Sequence, residues 1–95
     1  MHDIVRLHLA PLMYHSPVAN DKVDGITVST LFANDVQMYE TALLDRVTAY
    51  AVERYSTHEL AEEGHKKWLK QVPMLESVTR IGYGDIPDKE VKLLR

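Results

Sequence analysis

Ninety-five residues carry a net charge of −3, 45% hydrophobic and 26% charged side chains, and no cysteine. A chain of this size and mix builds one modest core, which argues against wholesale disorder and against several domains. The missing cysteines exclude a disulfide framework and thiolate chemistry, the mild acidity offers no basic face for nucleic acid, and no apolar run approaches the ~20 residues that span a bilayer.

The N-terminus reads IVRLHL from Ile4 to Leu9. Val5, Leu7 and Leu9 alternate with Arg6 and His8, which predicts a strand bounded by Pro11. Asp3 and Arg6 interrupt the apolar stretches, so no signal-peptide core forms. The expectation is a soluble intracellular protein. Pro17 to Gly25, PVANDKVDG, has the composition of a loop. GITVSTLFA from Gly25 is rich in β-branched residues and reads as a strand, with Asn34-Asp35 as the next turn. Met38 to Leu44 (MYETALL) and Tyr50 to Tyr55 (YAVERY) read as two strands joined through Asp45 to Thr48. The same stretch also supports a helical stripe through Leu43, Val47, Tyr50 and Ala51; the hairpin is the preferred reading.

A helix from Thr57 to Val72 follows. Ser56-Thr57-His58-Glu59 fits a capping box, with Ser56 as N-cap and Glu59 reaching back. Glu62–Lys66 and Glu63–Lys67 are i,i+4 pairs in the favourable order, and Pro73 stops the helix. Ala61, His65, Trp68, Leu69 and Val72 share one face, with Gly64 beside them, so this face packs on the sheet. Gly64 costs about 1 kcal/mol against alanine in a helix, which predicts close approach of the backbone to a strand or a neighbouring subunit. Ser77 to Ile81 reads as a further strand, Gly82 to Asp85 as a turn, and Pro87 to Arg95 as a short helical turn or tail. The fold class expected is α+β: an antiparallel sheet of three to five strands with one main helix on it. Within this single domain, residues 1–24 form an N-terminal strand and loop, 25–72 the sheet-plus-helix core and 73–95 an extension.

Candidate chemistry is sparse. HELAEEGH, His58 to His65, starts like a zinc-protease helix but has Glu62 where the second histidine belongs. His58, Glu62 and His65 at i, i+4, i+7 could supply ligands to a divalent ion, yet each has a structural role available, and the expectation is no metal and no cofactor. The remaining histidines, His2, His8 and His15, show no ligand spacing. Ser29 and Ser56 lack a nucleophile elbow, and Gly82-Tyr83-Gly84 lacks the rest of a nucleotide fingerprint. Tyr39 and Tyr55 are expected on one sheet face, with Glu40 opposite Arg54 across the hairpin; Tyr50, Tyr83 and Trp68 are further aromatics with polar tips.

The stretches VSTLF, YETALLD and ERYSTHELAEEGHKKW resemble a family of small uncharacterised tailed-bacteriophage proteins. Those carry V-S-T, then Y/F-E-T, then R-Y-S-T, then a helix of the type E-A-x-x-G-H. The matching positions are Val28-Ser29-Thr30, Tyr39-Glu40-Thr41, Arg54-Tyr55-Ser56-Thr57, Leu60-Ala61 and Gly64-His65, within about Gly25 to Val72. Asp45 to Ala49 lacks the family's glycine-rich loop. The resemblance implies a phage origin and an α+β fold, and supplies no catalytic residue. Together these features lead to an accessory protein that binds a host protein or a small signalling ligand, as in inhibition of host defence. It would work as a homo-oligomer, without catalysis, nucleic acid or membrane. Glu40, Arg54 and His65 are the candidate binding residues. The alternatives are a virion or assembly component, and a metal-dependent enzyme using His58, Glu62 and His65.

Overall fold

The computed structural model describes residues 15–95. The strand expected over Ile4–Leu9, and with it His2 and His8, lies outside the described residues. In chain order the elements are β1 (His15–Val23), β2 (Ile26–Ala33), β3 (Met38–Leu44), β4 (Ala49–Tyr55), α1 (His58–Gln71), a 3-10 turn (Val72–Met74), β5 (Ser77–Arg80) and β6 (Lys89–Lys92). β1 to β4 form an antiparallel meander in sequence order, and β5 and β6 a separate antiparallel pair. The α+β class and the β3–β4 hairpin are therefore present, and the alternative helix over 39–55 is not formed.

Each strand junction has a local cause. Asp24 and Gly25 both have positive φ, 50° and 80°, and bridge Val23 to Ile26. That is a two-residue hairpin turn whose twist matches the flanking strands. The Pro17–Gly25 stretch, expected as a loop, is thus mostly strand β1. It reads polar because it lies at a sheet edge, with Pro17, Asn20, Asp21 and Lys22 exposed and a register shift between Pro17 and Ala19. At the β3–β4 turn, Asp45 Oδ1 accepts from the amides of Val47 (2.8 Å) and Thr48 (3.0 Å). The carboxylate thereby closes the turn without a glycine.

β4 carries a bulge: Thr41 pairs with Glu53 but Ala42 with Ala51, leaving Val52 as the extra residue. The bulge changes which face the later residues serve. Tyr50 lies opposite Leu43, while Tyr55 and Glu53 lie opposite Tyr39 and Thr41. All of these belong to the face that α1 covers. Its core joins Ile26, Val28 and Leu43 to Val72, Val78 and Leu93, flanked by Trp68, Leu69 and Tyr50. Full burial of each such aliphatic side chain contributes roughly 1.5–3 kcal/mol.

α1 begins one residue later than its capping box suggested. Thr57, not Ser56, is the N-cap: its backbone is extended (φ −130°, ψ 156°) and its hydroxyl accepts from the Leu60 amide at 3.1 Å. Glu59 consequently falls inside the first turn rather than at the box position. Ala61, Gly64, His65 and Val72 are buried as the helical stripe predicts, with Trp68 and Leu69 half-buried. The C-terminal residues form strand β6 where a helical turn or tail was expected. Only Val91 of Lys89–Lys92 packs inward, so the sequence shows almost no apolar signal, and the strand forms because β5 supplies its partner. Beyond it, Leu93 is buried, and Leu94 clasps the β3–β4 turn through Arg46 N–H to Leu94 O (2.9 Å) and Leu94 N–H to Asp45 Oδ2 (3.0 Å). Residues 73–95 are part of the core rather than an extension of it. Among the described residues no helix is long and apolar enough to cross a membrane.

Candidate functional site

Strand alternation splits the candidate residues between two faces. Thr30 of β2 lies opposite Thr41 of β3 on the helix-covered face. Their hydroxyls are 2.6 Å apart, and Thr30 Oγ1 also lies 2.7 Å from His65 Nδ1. The other ring nitrogen, Nε2, is 2.8 Å from Asp21 Oδ2 on β1. In the opposite direction the Tyr55 hydroxyl is 3.0 Å from Thr41 Oγ1 and 2.9 Å from Glu53 Oε1. Glu53 Oε1 also accepts from Lys67 Nζ (2.5 Å) and Trp68 Nε1 (2.8 Å). A continuous polar chain therefore runs from Asp21 through His65, Thr30, Thr41 and Tyr55 to Glu53.

Proton counting sets its direction. The Tyr55 hydroxyl has one proton, and an ionised Glu53 can only accept, so Tyr55 donates to Glu53. Thr41 then donates to Tyr55, Thr30 to Thr41, and His65 Nδ1 to Thr30. Asp21 accepts from Nε2. Burial is the main influence on the Tyr55 phenol and pushes it above its ordinary range, so it stays a donor. Burial alone would raise Glu53, but hydrogen bonds from Lys67, Trp68 and Tyr55 outweigh it and hold the carboxyl below its usual value. Asp45 behaves alike: burial opposes ionisation, and the amides of Thr48, Leu94 and Val47 prevail.

Asp21, His65 and Thr30 follow the order acid, imidazole, hydroxyl that activates a nucleophile. Here the hydroxyl is sealed. Thr30 has no exposed surface, His65 is 4% exposed, and Thr30 Oγ1 is already bonded to Thr41. The chain ties four strands to the helix and presents no nucleophile to a substrate. Gly64 belongs to the same construction: a Cβ there would stand 2.2 Å from the Tyr55 hydroxyl oxygen. The close approach expected of this glycine is to β4.

The histidine triple does not assemble. His58 Nδ1 pairs with Glu62 Oε1 at 3.2 Å on the exposed helix surface, while both nitrogens of buried His65 are engaged below it. Among the described residues no three His, Asp or Glu side chains converge to hold a metal ion. Glu62 pairs with His58 rather than Lys66 on the exposed helix surface, and Lys67 reaches the part-buried Glu53 of β4 rather than Glu63.

Glu40 and Arg54 are cross-strand partners, as the hairpin reading expects, with Arg54 Nε 3.0 Å from Glu40 Oε2. They lie on the face opposite to His65, since Glu40 and Thr41 are adjacent in β3. Glu40, Arg54 and His65 thus do not form one site. Arg54 instead borders a pocket of ≈ 130 Å³ between β4 and the β5–β6 hairpin, floored by Ala49 and Ala51 and walled by Ile81, Tyr83, Ile86 and Arg80. β5 is held there by the Ile81 amide, which donates to Ala51 O at 2.8 Å. Arg80 Nη2 donates to Pro87 O at 3.1 Å, but its Nε is buried with no partner. An open hollow of ≈ 500 Å³ at the opposite turn end is bordered by Lys22, Arg46 and Arg95, with Arg95 neutralised by Asp24 at 2.9 Å.

Sequence reasoning missed Asp21, Thr30, Thr41, Glu53 and Arg80. The two threonines were findable: β-branched hydroxyl residues at inward strand positions, facing a helix with glycine followed by histidine. Asp21 was hidden by the loop reading of β1, and Arg80 by the lack of any motif around it. Comparison with protein-family models, curated proteins and solved structures finds no match to the chain.

Proposed function

We propose that the chain is a small phage accessory protein that acts by binding, in the host bacterial cytoplasm and as a homo-oligomer, rather than by catalysis. The phage assignment rests on the V-S-T, Y-E-T, R-Y-S-T and A-x-x-G-H resemblance. The binding assignment rests chiefly on one observation: the imidazole and hydroxyls of the acid–imidazole–hydroxyl chain are buried and bonded to one another, whereas Arg80 borders an open pocket with a buried donor unpaired. Buried polar groups are normally satisfied, and a lone orphan beside a concavity marks a place where a partner completes the bonding. The exposed Tyr83 and Ile86 at the rim add apolar area for such a partner. Inhibition of a host defence, through a host protein or a small signalling molecule, fits an accessory protein of this size.

Native mass spectrometry of the protein purified from bacterial cytoplasm without chelator tests this reading. The expected result is a discrete oligomer that retains a small-molecule mass or a host polypeptide. A bare protein that captures nothing from cytoplasm, or one found assembled in purified virions, overturns it.

A further inference from the structure

The geometry points to the β4–β5 pocket as a receptor for a single carboxylate carried on a short apolar body, with Arg80 as its anchor. This inference rests on the reading of the chain as a binding protein and names the chemistry it recognises. Two cations border the pocket, but they are not equivalent. Arg54 is matched by Glu40 at 3.0 Å. Arg80 has no salt bridge among the described residues, and its one hydrogen bond goes to a neutral carbonyl, Pro87 O. Asp88, next to the Lys89 that pairs with Arg80 across the hairpin, accepts from the Gly82 amide at 2.6 Å. Among the described residues Arg80 therefore has no ion-pair partner, and its guanidinium keeps one unused nitrogen.

A monoanion balances the Arg80 charge, whereas a phosphate group at about −1.5 to −2 overshoots it. A carboxylate also matches guanidinium shape, since two coplanar oxygens meet two N–H groups along one edge. Arg80 Nε is buried in the pocket wall, so a carboxylate reaches it only if the exposed Tyr83 and Ile86 side chains give way. The volume of ≈ 130 Å³ corresponds to about four waters at ~30 Å³ each. That admits a carboxylate with a few carbons and no more. Ala49, Ala51 and Ile86 supply the apolar surface for those carbons. Such a group is found in a free short-chain acid, or at an Asp, Glu or C-terminal residue of a peptide.

The test titrates the full chain with butyrate, butyramide, inorganic phosphate and the blocked peptide acetyl-Ala-Glu-Ala-amide, following by NMR the Arg80 Nε–H cross-peak and, in every variant, the backbone amide cross-peaks of Ala49 and Ala51 that line the pocket. Butyrate or the peptide is expected to shift that peak saturably. Butyramide and phosphate should bind at least tenfold more weakly. Arg80→Lys, which keeps the charge and loses Nε, should weaken the carboxylate at least tenfold, and Arg80→Gln further, while Arg46→Ala leaves it unchanged. Amide spectra of each variant establish that the fold is kept. Saturation by butyrate assigns a free acid, and by the peptide alone a protein partner; either supports the proposal. No saturable shift with either carboxylate, or equal affinity in Arg80→Lys, overturns it. If the carboxylates fail while the purified protein still retains a cytoplasmic mass, the ligand class is wrong and the binding reading stands. If both fail, both are wrong.

Discussion

Replacing Gly64 by alanine sets two effects of opposite sign against each other, and the structure decides between them. In an isolated helix the change is favourable by about 1 kcal/mol, because glycine loses more backbone freedom on folding. In this helix the new methyl would stand 2.2 Å from the Tyr55 hydroxyl oxygen, 2.3 Å from Cζ and 2.4 Å from Cε1. Ordinary contact lies near ~3.5–4 Å, so ring and helix must part by about an ångström or more. Overpacking of this kind costs about 1–3 kcal/mol. The shift also breaks the Tyr55 bonds to Thr41 and Glu53, at about 1 kcal/mol each. The net expectation for Gly64→Ala is a loss of about 2–4 kcal/mol, or roughly 10–25 °C in Tm for a domain of this size. Urea unfolding monitored at Trp68 fluorescence measures it. The decisive comparison is the Tyr55→Leu background, which removes all three clashing atoms and keeps an apolar side chain. There Gly64→Ala should stabilise, by up to about 1 kcal/mol, so the substitution changes sign. A neutral effect in the native background, or an equal loss in both, would refute the assignment of Gly64 to the β4 contact.

Four other outcomes follow from the same geometry. Thr57→Ala should cost about 1 kcal/mol and Ser56→Ala under about 0.5, read from urea midpoints, because only Thr57 caps α1. Arg54→Met should destabilise by about 1–3 kcal/mol, since it removes one charge-assisted hydrogen bond from the fully buried Glu40 carboxylate; a Tm unchanged within error would count against this. The Glu53 and Asp45 carboxyls are held low in the folded state, so their contribution is complete above their unfolded values near ~4 and is lost as pH falls through the folded values. Urea midpoints should therefore hold steady from pH 7 to about 5 and fall below about 4, and Glu53→Gln should flatten that fall. Tyr55→Phe, which removes the bonds to Thr41 and Glu53 at the far end of the chain, should cost about 1–3 kcal/mol, read from urea midpoints.

The legible and illegible parts of the sequence differ in physical kind. β2, β3, β4 and α1 are each written in their own periodicity, since each buries one face and alternation or a helical stripe records it. The Glu40–Arg54 and Tyr39–Tyr55 pairings followed from the hairpin, because a short turn fixes the register. β1 and β6 were illegible because edge strands stay polar, and their pairing energy resides in the partner's backbone rather than in their own side chains. Asp24-Gly25 did carry a hairpin signal, overridden by the polarity of the residues before it. The chain from Asp21 to Glu53 could not be read from spacing, because its six members come from five separate elements. The bulge at Val52 hid the split between faces: alternation through β4 without it assigns the wrong residues to the helix side.

The residues that carry the phage resemblance have mostly one destination. Thr30 ends V-S-T, Thr41 ends Y-E-T, Tyr55 and Thr57 belong to R-Y-S-T, and Gly64-His65 close the helix motif. Thr30, Thr41, Tyr55 and His65 form the buried chain, Gly64 makes room for it, and Thr57 starts the helix that covers it. Such a block specifies how a helix is fastened to a sheet. It does not specify what the protein recognises, because a side chain with no exposed surface cannot touch a partner. Ser29, Glu40 and Arg54 also belong to the block yet lie on the opposite face, and Arg54 borders the pocket. The remaining determinants there, Arg80, Tyr83 and Ile86, lie beyond Pro73 and outside the resembling stretch. Two chains could thus share the whole block, and hence the fastening, while differing in the β5–β6 hairpin and in what they bind. Exchanging residues 77–92 between such chains should move the ligand preference with the hairpin and leave the stability of the α1–sheet junction behind.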